Sequence, residues 1–342
     1  MCGVVVDPAP PPASLREHDS RALRIALMAM DEIRIPLERA IAKSGRERIG
    51  LLLGTSTGGL DRTEVALEAR DASGAMPHDY SFLSQHSFGG LLSALGRVAG
   101  TRGPAYVVST ACTSSSKALA AALRLINAEV CDAVLVGGAD ALCHTTLHGF
   151  HSLGVLSSQA CRPFSTERNG IHIGEGAAWL LLEREGDGPA RVSSVGESSD
   201  AHSMSAPDPE GRGARLAIES ALAGAGIDAS SVDFVNAHGT GTVKNDQAEA
   251  AAIAESLGVD VPVASTKGMT GHLLGAAGAT EAALTVAAVE RGVIPPSAGA
   301  EPFDSSLGIH LVRTARRATL RRALSLSMAF GGNNTAVLVE AP

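Results

Sequence analysis

Short apolar runs, each bounded by glycine and followed by an Ala/Leu-rich stretch, recur along this chain, and their alternation limits the fold more than any other feature. The runs are Ile49 to Gly54, Ala105 to Ser109, Ala133 to Gly138, Val232 to Ala237 and Val261 to Ser265. They are polar only at their ends, which predicts strands covered on both faces. Ser20 to Asp31, Ser114 to Ala128, Gly213 to Ala225, Gln247 to Leu257 and Gly275 to Glu290 carry helical spacing. Strand and helix in alternation predict an α/β layered fold with mostly parallel strands and right-handed crossovers.

The 342 residues, 45% of them hydrophobic, exceed one compact domain and call for two lobes or one double-layered unit. A strand, a Gly/Ser/Thr turn and a helix occur around Cys112 and again around Lys267 to Glu281. This predicts two related halves, residues 1–185 and 186–342, meeting in the loop Arg184 to Ala190. Aromatic residues are only 3% while glycine reaches 38, so the core is expected to be made of closely approaching backbones.

With 28 basic against 36 acidic residues, the net charge of -8 offers no footprint for nucleic acid or a membrane surface. An acidic partner must find a local basic patch. No apolar run reaches membrane-spanning length, and MCGVVVDPAPPP lacks the build of a signal peptide. The five cysteines form no CxxC pair, which excludes a disulfide framework or zinc ribbon and points to a reducing cytoplasm.

Cys112 falls between an apolar strand and a helix start, where unpaired N–H groups and the helix dipole favour thiolate, so a lowered pKa is expected. A small buried structural cysteine fits the same local sequence. His238 and His272 tip the balance towards chemistry. Each stands in a Gly/Thr turn after a buried strand, at the end where α/β sheets deliver functional groups.

The segments STACTSSS, VNAHGTGT, STKGMTGHLLGAAGATEA and SMAFGGNNTAV together resemble the elongating β-ketoacyl-acyl carrier protein synthases of the thiolase superfamily. The likeness runs from about Asp19 to the C-terminus and also takes in RGPAYVVSTAC, VLVGGADA, RPFSTERNGIHIGEGAA and SSDAHSMSAPDPEG. It implies a thiolase-like fold, with two related βαβαβ-type halves in an α/β/α/β/α core. It also implies a decarboxylative Claisen condensation: Cys112 takes an acyl group, and a malonyl thioester loses carbon dioxide and attacks it.

By the same resemblance, His238 and His272 stabilise the enolate, Lys267 and Glu281 form an organising charge pair, and the N–H groups of Cys112 and Phe330 make the oxyanion hole. Phe330 acts as a gate over the nucleophile, and Gly331 is grouped with it in the oxyanion hole and gate. Thr240 and Thr242 bind the substrate's pantetheine arm and Ser205 belongs to the substrate-binding set, while Arg168 contacts an acidic carrier protein. No resident cofactor is expected, because the phosphopantetheine belongs to the carrier. Subunits are expected to pair through the strand Ala105 to Ser109, as a homodimer or with a synthase-like partner. A plain turn for the threonines, a surface Lys and helix-face Glu, and a merely exposed arginine are the alternatives at these positions.

One departure concerns the opening strand of the family, VVVTGxGxxSPxG, which MCGVVVD replaces at most in part; its loss is expected to leave a gap inside the first sheet. Three competing readings exist. LLLGTSTGGL contains the G-x-S-x-G of a serine hydrolase at Ser56, Cys143, His144, His148 and His151 could hold a metal, and the chain could serve as a non-catalytic chain-length partner.

Overall fold

The computed structural model describes residues 2–342. Four strands make a first sheet: β1 (Ile49–Gly54), β2 (Ala105–Val108), β3 (Ala133–Asp140) and β4 (Gly176–Glu183), in the order β2-β1-β3-β4. Eight more follow: β5 (Arg191–Ser199), β6 (Phe234–Asn236), β7 (Pro262–Ala264), β8 (Val293–Ile294), β9 (His310–Leu311), β10 (Arg316–Arg317), β11 (Arg322–Met328) and β12 (Asn333–Glu340). Six of them form a second sheet in the order β5-β12-β11-β6-β7-β9, while β8 and β10 form a separate ribbon.

The two sheets repeat one pattern. From β2 to β4 the pairings run parallel, parallel, antiparallel, and from β7 through β6 and β11 to β12 they run the same way. The helices are α1 (Arg21–Glu32), α2 (Arg34–Ser44), α3 (Leu60–Glu68), α4 (Phe88–Ala99), α5 (Ser114–Asn127), α6 (His144–Ser152), α7 (Arg212–Ala225), α8 (Val243–Leu257), α9 (Lys267–Thr270) and α10 (Ala277–Arg291). Helix α5 follows β2 as α10 follows β7, so the strand-turn-helix unit read in the sequence occurs twice.

Alternation along the strands explains the layering. In β1, Leu51 and Leu53 join α1 and α4 in one apolar cluster, whereas Leu52 turns to the other face against α5. In β12, Val337 and Val339 meet that same central cluster, whereas Ala336 and Leu338 pack on α7 and α8. Helices α5 and α10 thus lie between the sheets, giving the five layers α/β/α/β/α, with each sheet covered on both faces. Gly54 permits the close approach, because a Cβ there would lie 2.3 Å from the backbone of Ser115.

Two expectations need correction. Strand β2 is not covered on both faces: Ala105 and Tyr106 are exposed, because β2 forms the outer edge of its sheet. The gap expected inside the first sheet is not there either, since β2, β1, β3 and β4 are contiguous. In the second half, the corresponding place beyond β12 is taken by β5, an edge strand, so its counterpart would lie outside β4. Among the described residues of the N-terminal segment, Gly3 makes one bridge there, donating to Ile173 O and accepting from Glu175 N, after which Val4 and Val6 are exposed.

Candidate active site

A tight turn between β2 and α5 presents Cys112. Ala111 takes φ +53°, a conformation costly for a residue with a Cβ. Ser114 secures the turn: its Oγ accepts from Thr110 N (3.0 Å) and donates to Ala111 O (2.5 Å). Ser115 Oγ accepts from Ala279 N (2.8 Å) and Ser116 Oγ pairs with Thr335 Oγ1 (2.6 Å), tying the start of α5 to the second half. Helix α5 begins two residues beyond Cys112, which is itself 6% exposed. Burial pushes its thiol up to about 12, despite the opposing pull of Lys267 and the Phe330 N–H. The expected lowering is therefore overturned, because desolvation of a thiolate outweighs those contributions.

His238 follows β6 and is held from its main chain. Glu249 on α8 accepts from His238 N (2.6 Å) and Gly239 N (2.7 Å), and Asp246 accepts from Phe164 N (2.7 Å) and Gly241 N (3.2 Å). His272 lies just beyond the short helix α9 that follows β7, and it is anchored across the halves. Its main-chain N–H donates to His172 O (2.7 Å), and its carbonyl accepts from Gly174 N (2.9 Å). The two imidazoles meet edge to face, with centroids 5.2 Å apart.

Their tautomers follow from what surrounds them. Leu274 N–H, which can only donate, points at His272 Nδ1 (3.2 Å), and the ammonium of Lys267 lies 3.1 Å from His238 Nδ1. Both rings therefore accept at Nδ1 and carry their proton on Nε2. Burial first, and then the Lys267 charge, hold both imidazoles well below the ordinary histidine range, so they are neutral. Lys267 in turn bonds Glu281, buried like itself.

Cys112, His238 and His272 line one cavity of about 410 Å³, together with Thr240, Thr242, Ser205 and Phe330. The hydroxyls of Thr240 and Thr242 lie 2.9 Å apart. The ring of Phe330 packs on Phe150 at 5.6 Å, and its N–H faces the Cys112 sulfur. Gly331 N–H is already committed to Met204 O (2.8 Å), so this glycine shapes the turn, at φ +83°, rather than adding an oxyanion donor.

Arg168 is not where a carrier protein could reach it. It is 8% exposed and donates to Ser165 O and Asp304 Oδ2, both at 2.7 Å, pinning its loop to the segment before β9. Ser56 is no nucleophile elbow: its Oγ donates to Ala111 O (3.2 Å), and its N–H serves the buried Asp140, which also binds Thr55, Thr57 and Gly275. Among the described residues no three metal-ligating side chains converge, and Cys143 turns to Thr146 instead.

Asp140, Asp200, Asp246 and Glu249 escape a reading of the sequence alone. Asp246 and Glu249 sit three apart at the start of a helix directly after the histidine turn, and that spacing is the signal that could have found them. Asp200 accepts from Asn334 Nδ2 (2.7 Å) and Asp208 N (3.1 Å), linking two loops that border the cavity.

The β-ketoacyl synthase N-terminal domain model matches residues 17–188 and the C-terminal domain model residues 189–301. The chain belongs to the β-ketoacyl synthase family. A 3-oxoacyl-acyl-carrier-protein synthase 2 of Vibrio harveyi is 34% identical over 88% of this chain and 77% of its own length. Nodulation protein E of Rhizobium meliloti is 34% identical over 84% of this chain and 74% of its own. Among solved structures, the ketosynthase ApeO of Xenorhabdus doucetiae, in complex with its chain length factor ApeC, superposes with TM-score 0.90. It is 40% identical, covering 100% of this chain and 86% of that one. The two domain models, the 3-oxoacyl-acyl-carrier-protein synthase and the thiolase-like layering identify a condensing acyltransferase.

Proposed function

We propose that this chain is the active condensing subunit, joining an acyl group held on Cys112 to a malonyl unit delivered by an acyl carrier protein. The carrying observation is the convergence of a buried thiol with two neutral imidazoles that both present Nε2–H. In the first step the sulfur attacks the carrier thioester, and the thiol proton leaves with the carrier sulfur. The Cys112 and Phe330 N–H groups face the oxyanion formed on the way, each such donor being worth about a hundredfold or more. In the second step the malonyl thioester loses carbon dioxide. The two Nε2–H groups stabilise the enolate oxygen, and the carbanion attacks acyl-Cys112, breaking the Cys112 thioester to release the β-ketoacyl carrier and a Cys112 thiolate, which takes up one proton from solvent to become the thiol again.

Neutral imidazoles suit this role because a donor that is already uncharged needs no proton from solvent. The phosphopantetheine enters as part of the substrate, and Thr240, Thr242 and Ser205 flank its path. The likeness to a ketosynthase solved with a chain length factor supports a synthase-like partner subunit, and the exposed edge of β2 offers a place to pair with it or with a second copy of this chain. An intact Cys/His/His set favours the catalytic over the idle member of such a pair. Five free cysteines favour a cytoplasmic setting, and among the described residues no helix is long and apolar enough to cross a membrane.

Intact-mass analysis after incubation with an acyl-carrier thioester tests the assignment. Cys112→Ala is expected to take no adduct, whereas His272→Ala is acylated but loses malonyl decarboxylation by a hundredfold or more. An adduct that persists in Cys112→Ala overturns it.

A further inference from the structure

The segment leaving His238 climbs from the floor of the catalytic cavity to its mouth. His238 and Thr240 are buried, Thr242 is half-buried, and Lys244 is exposed, yet all four line the same cavity. Along this path the chemistry changes in order: an imidazole N–H beside the nucleophile, then two hydroxyls, then an ammonium. A phosphopantetheine thioester presents groups in the matching order: a thioester carbonyl at its tip, amides along the arm, and a phosphate at its outer end.

Among the described residues Lys244 is the one lysine or arginine lining this cavity, since Lys267 lies beneath the histidines rather than on the wall. Among the described residues it also has no carboxylate within ion-pair distance, although many other cations of this chain are paired. The only carboxylate found on the cavity wall among these residues, Asp200, is already engaged by Asn334 and Asp208. Lys244 lies in the first turn of α8, whose cap residue Thr242 makes no side-chain capping bond, so the local helix field adds to the attraction for an anion. On a chain of net charge -8, an unpaired cation at this one place is the group a phosphate would meet.

We propose that Lys244 anchors the phosphate of the carrier's phosphopantetheine arm and so sets how far the thioester reaches towards Cys112. This rests on the condensing reading above and assigns a positioning residue to it. A charge-assisted contact of this kind is worth roughly 10- to 100-fold in kcat/KM.

The test compares two small acyl thioesters, one on 4′-phosphopantetheine and one on pantetheine, read as the rate of acylation of Cys112 by intact mass. For the wild-type chain the phosphorylated arm is expected to react roughly 10- to 100-fold faster. Lys244→Gln is expected to bring that ratio close to one, and Lys244→Arg to restore most of it. A ratio unchanged in Lys244→Gln overturns the anchor, as does a wild-type ratio near one. A defect of Lys244→Gln confined to carrier-borne substrate assigns the lysine to the carrier's surface and overturns it too. Failure of wild-type Cys112 to be acylated by any thioester, carrier-borne included, instead sinks the condensing reading.

Discussion

Lys267 Nζ lies 3.1 Å from His238 Nδ1 and bonds Glu281 on its other side, so one buried ammonium both fixes an imidazole tautomer and is neutralised by a carboxylate from α10. Stability and chemistry are joined in that pair, and they can be separated by mutation. Lys267→Met leaves Glu281 buried without a counter-charge and is expected to cost roughly 3–5 kcal/mol. The double variant Lys267→Met/Glu281→Leu removes both charges, so its melting temperature should recover most of that loss. Malonyl decarboxylation should not recover, since His238 Nδ1 still lacks its donor. Return of activity along with stability would mean that the pair serves folding alone.

The resting thiol gives a second expectation. With Cys112 pushed up to about 12 by burial, the thiolate fraction at pH 7 is on the order of 10⁻⁵ and grows tenfold per pH unit. The logarithm of the iodoacetamide rate at Cys112 should therefore rise with a slope near one from pH 7 to 10, without levelling. Peptide mapping is needed to read it, because Cys161 is also free, with its thiol pushed up to about 11 by burial. A plateau near neutrality would show that the start of α5 outweighs desolvation.

Much of the architecture was legible because it is written in periodicity. Leu51, Leu52 and Leu53 are three consecutive apolar residues in a short run bounded by glycines, and a strand between two helical layers buries all three. Cys112, His238 and His272 were legible because each interrupts an apolar strand end with a reactive group. What was not legible depends on neighbours distant in sequence. Arg168 reads as a surface charge until Asp304, 136 residues away, is brought against it. The thiol's environment was misjudged for the same reason: local sequence gives the helix start, whereas burial comes from the whole cavity.

Glu249 supplies a pH dependence. Burial raises its carboxyl to about 8, against an ordinary value of about 4.3. The folded protein thus holds a proton that the unfolded chain releases, and the resulting stability is complete below about pH 4.3 and is lost as pH rises through 8. Asp246, raised to about 6 by burial, acts with the same sign at lower pH. Between pH 6.5 and 8 the loss from Glu249 should approach but not exceed about 1.4 kcal/mol per unit. Glu249→Gln cannot titrate, and its amide sets a donor against the N–H of His238 or Gly239. Its melting temperature should be lower, by the equivalent of about 1–3 kcal/mol, and should fall less steeply across this range. Parallel profiles for the two proteins would exclude Glu249 as the titrating group.

The outer edge of β2 carries the last expectation. Leu51 N–H donates to Pro104 O (2.9 Å) and Thr55 N–H to Val108 O (3.3 Å), so the even-numbered residues of this strand bond inwards to β1. Ala105 and Val107 accordingly turn their N–H and C=O groups outwards, and Tyr106 beside them is 39% exposed. An unpaired strand edge of this kind is a template for a second chain. Light scattering should therefore give the mass of two subunits, either two copies of this chain or this chain with a synthase-like partner. Val107→Pro removes one outward N–H without touching the ladder to β1, and prolines are tolerated on edge strands. The variant should remain folded by circular dichroism while shifting towards the mass of one subunit. A wild-type chain that stays monomeric both alone and with a synthase-like partner would refute pairing through this edge.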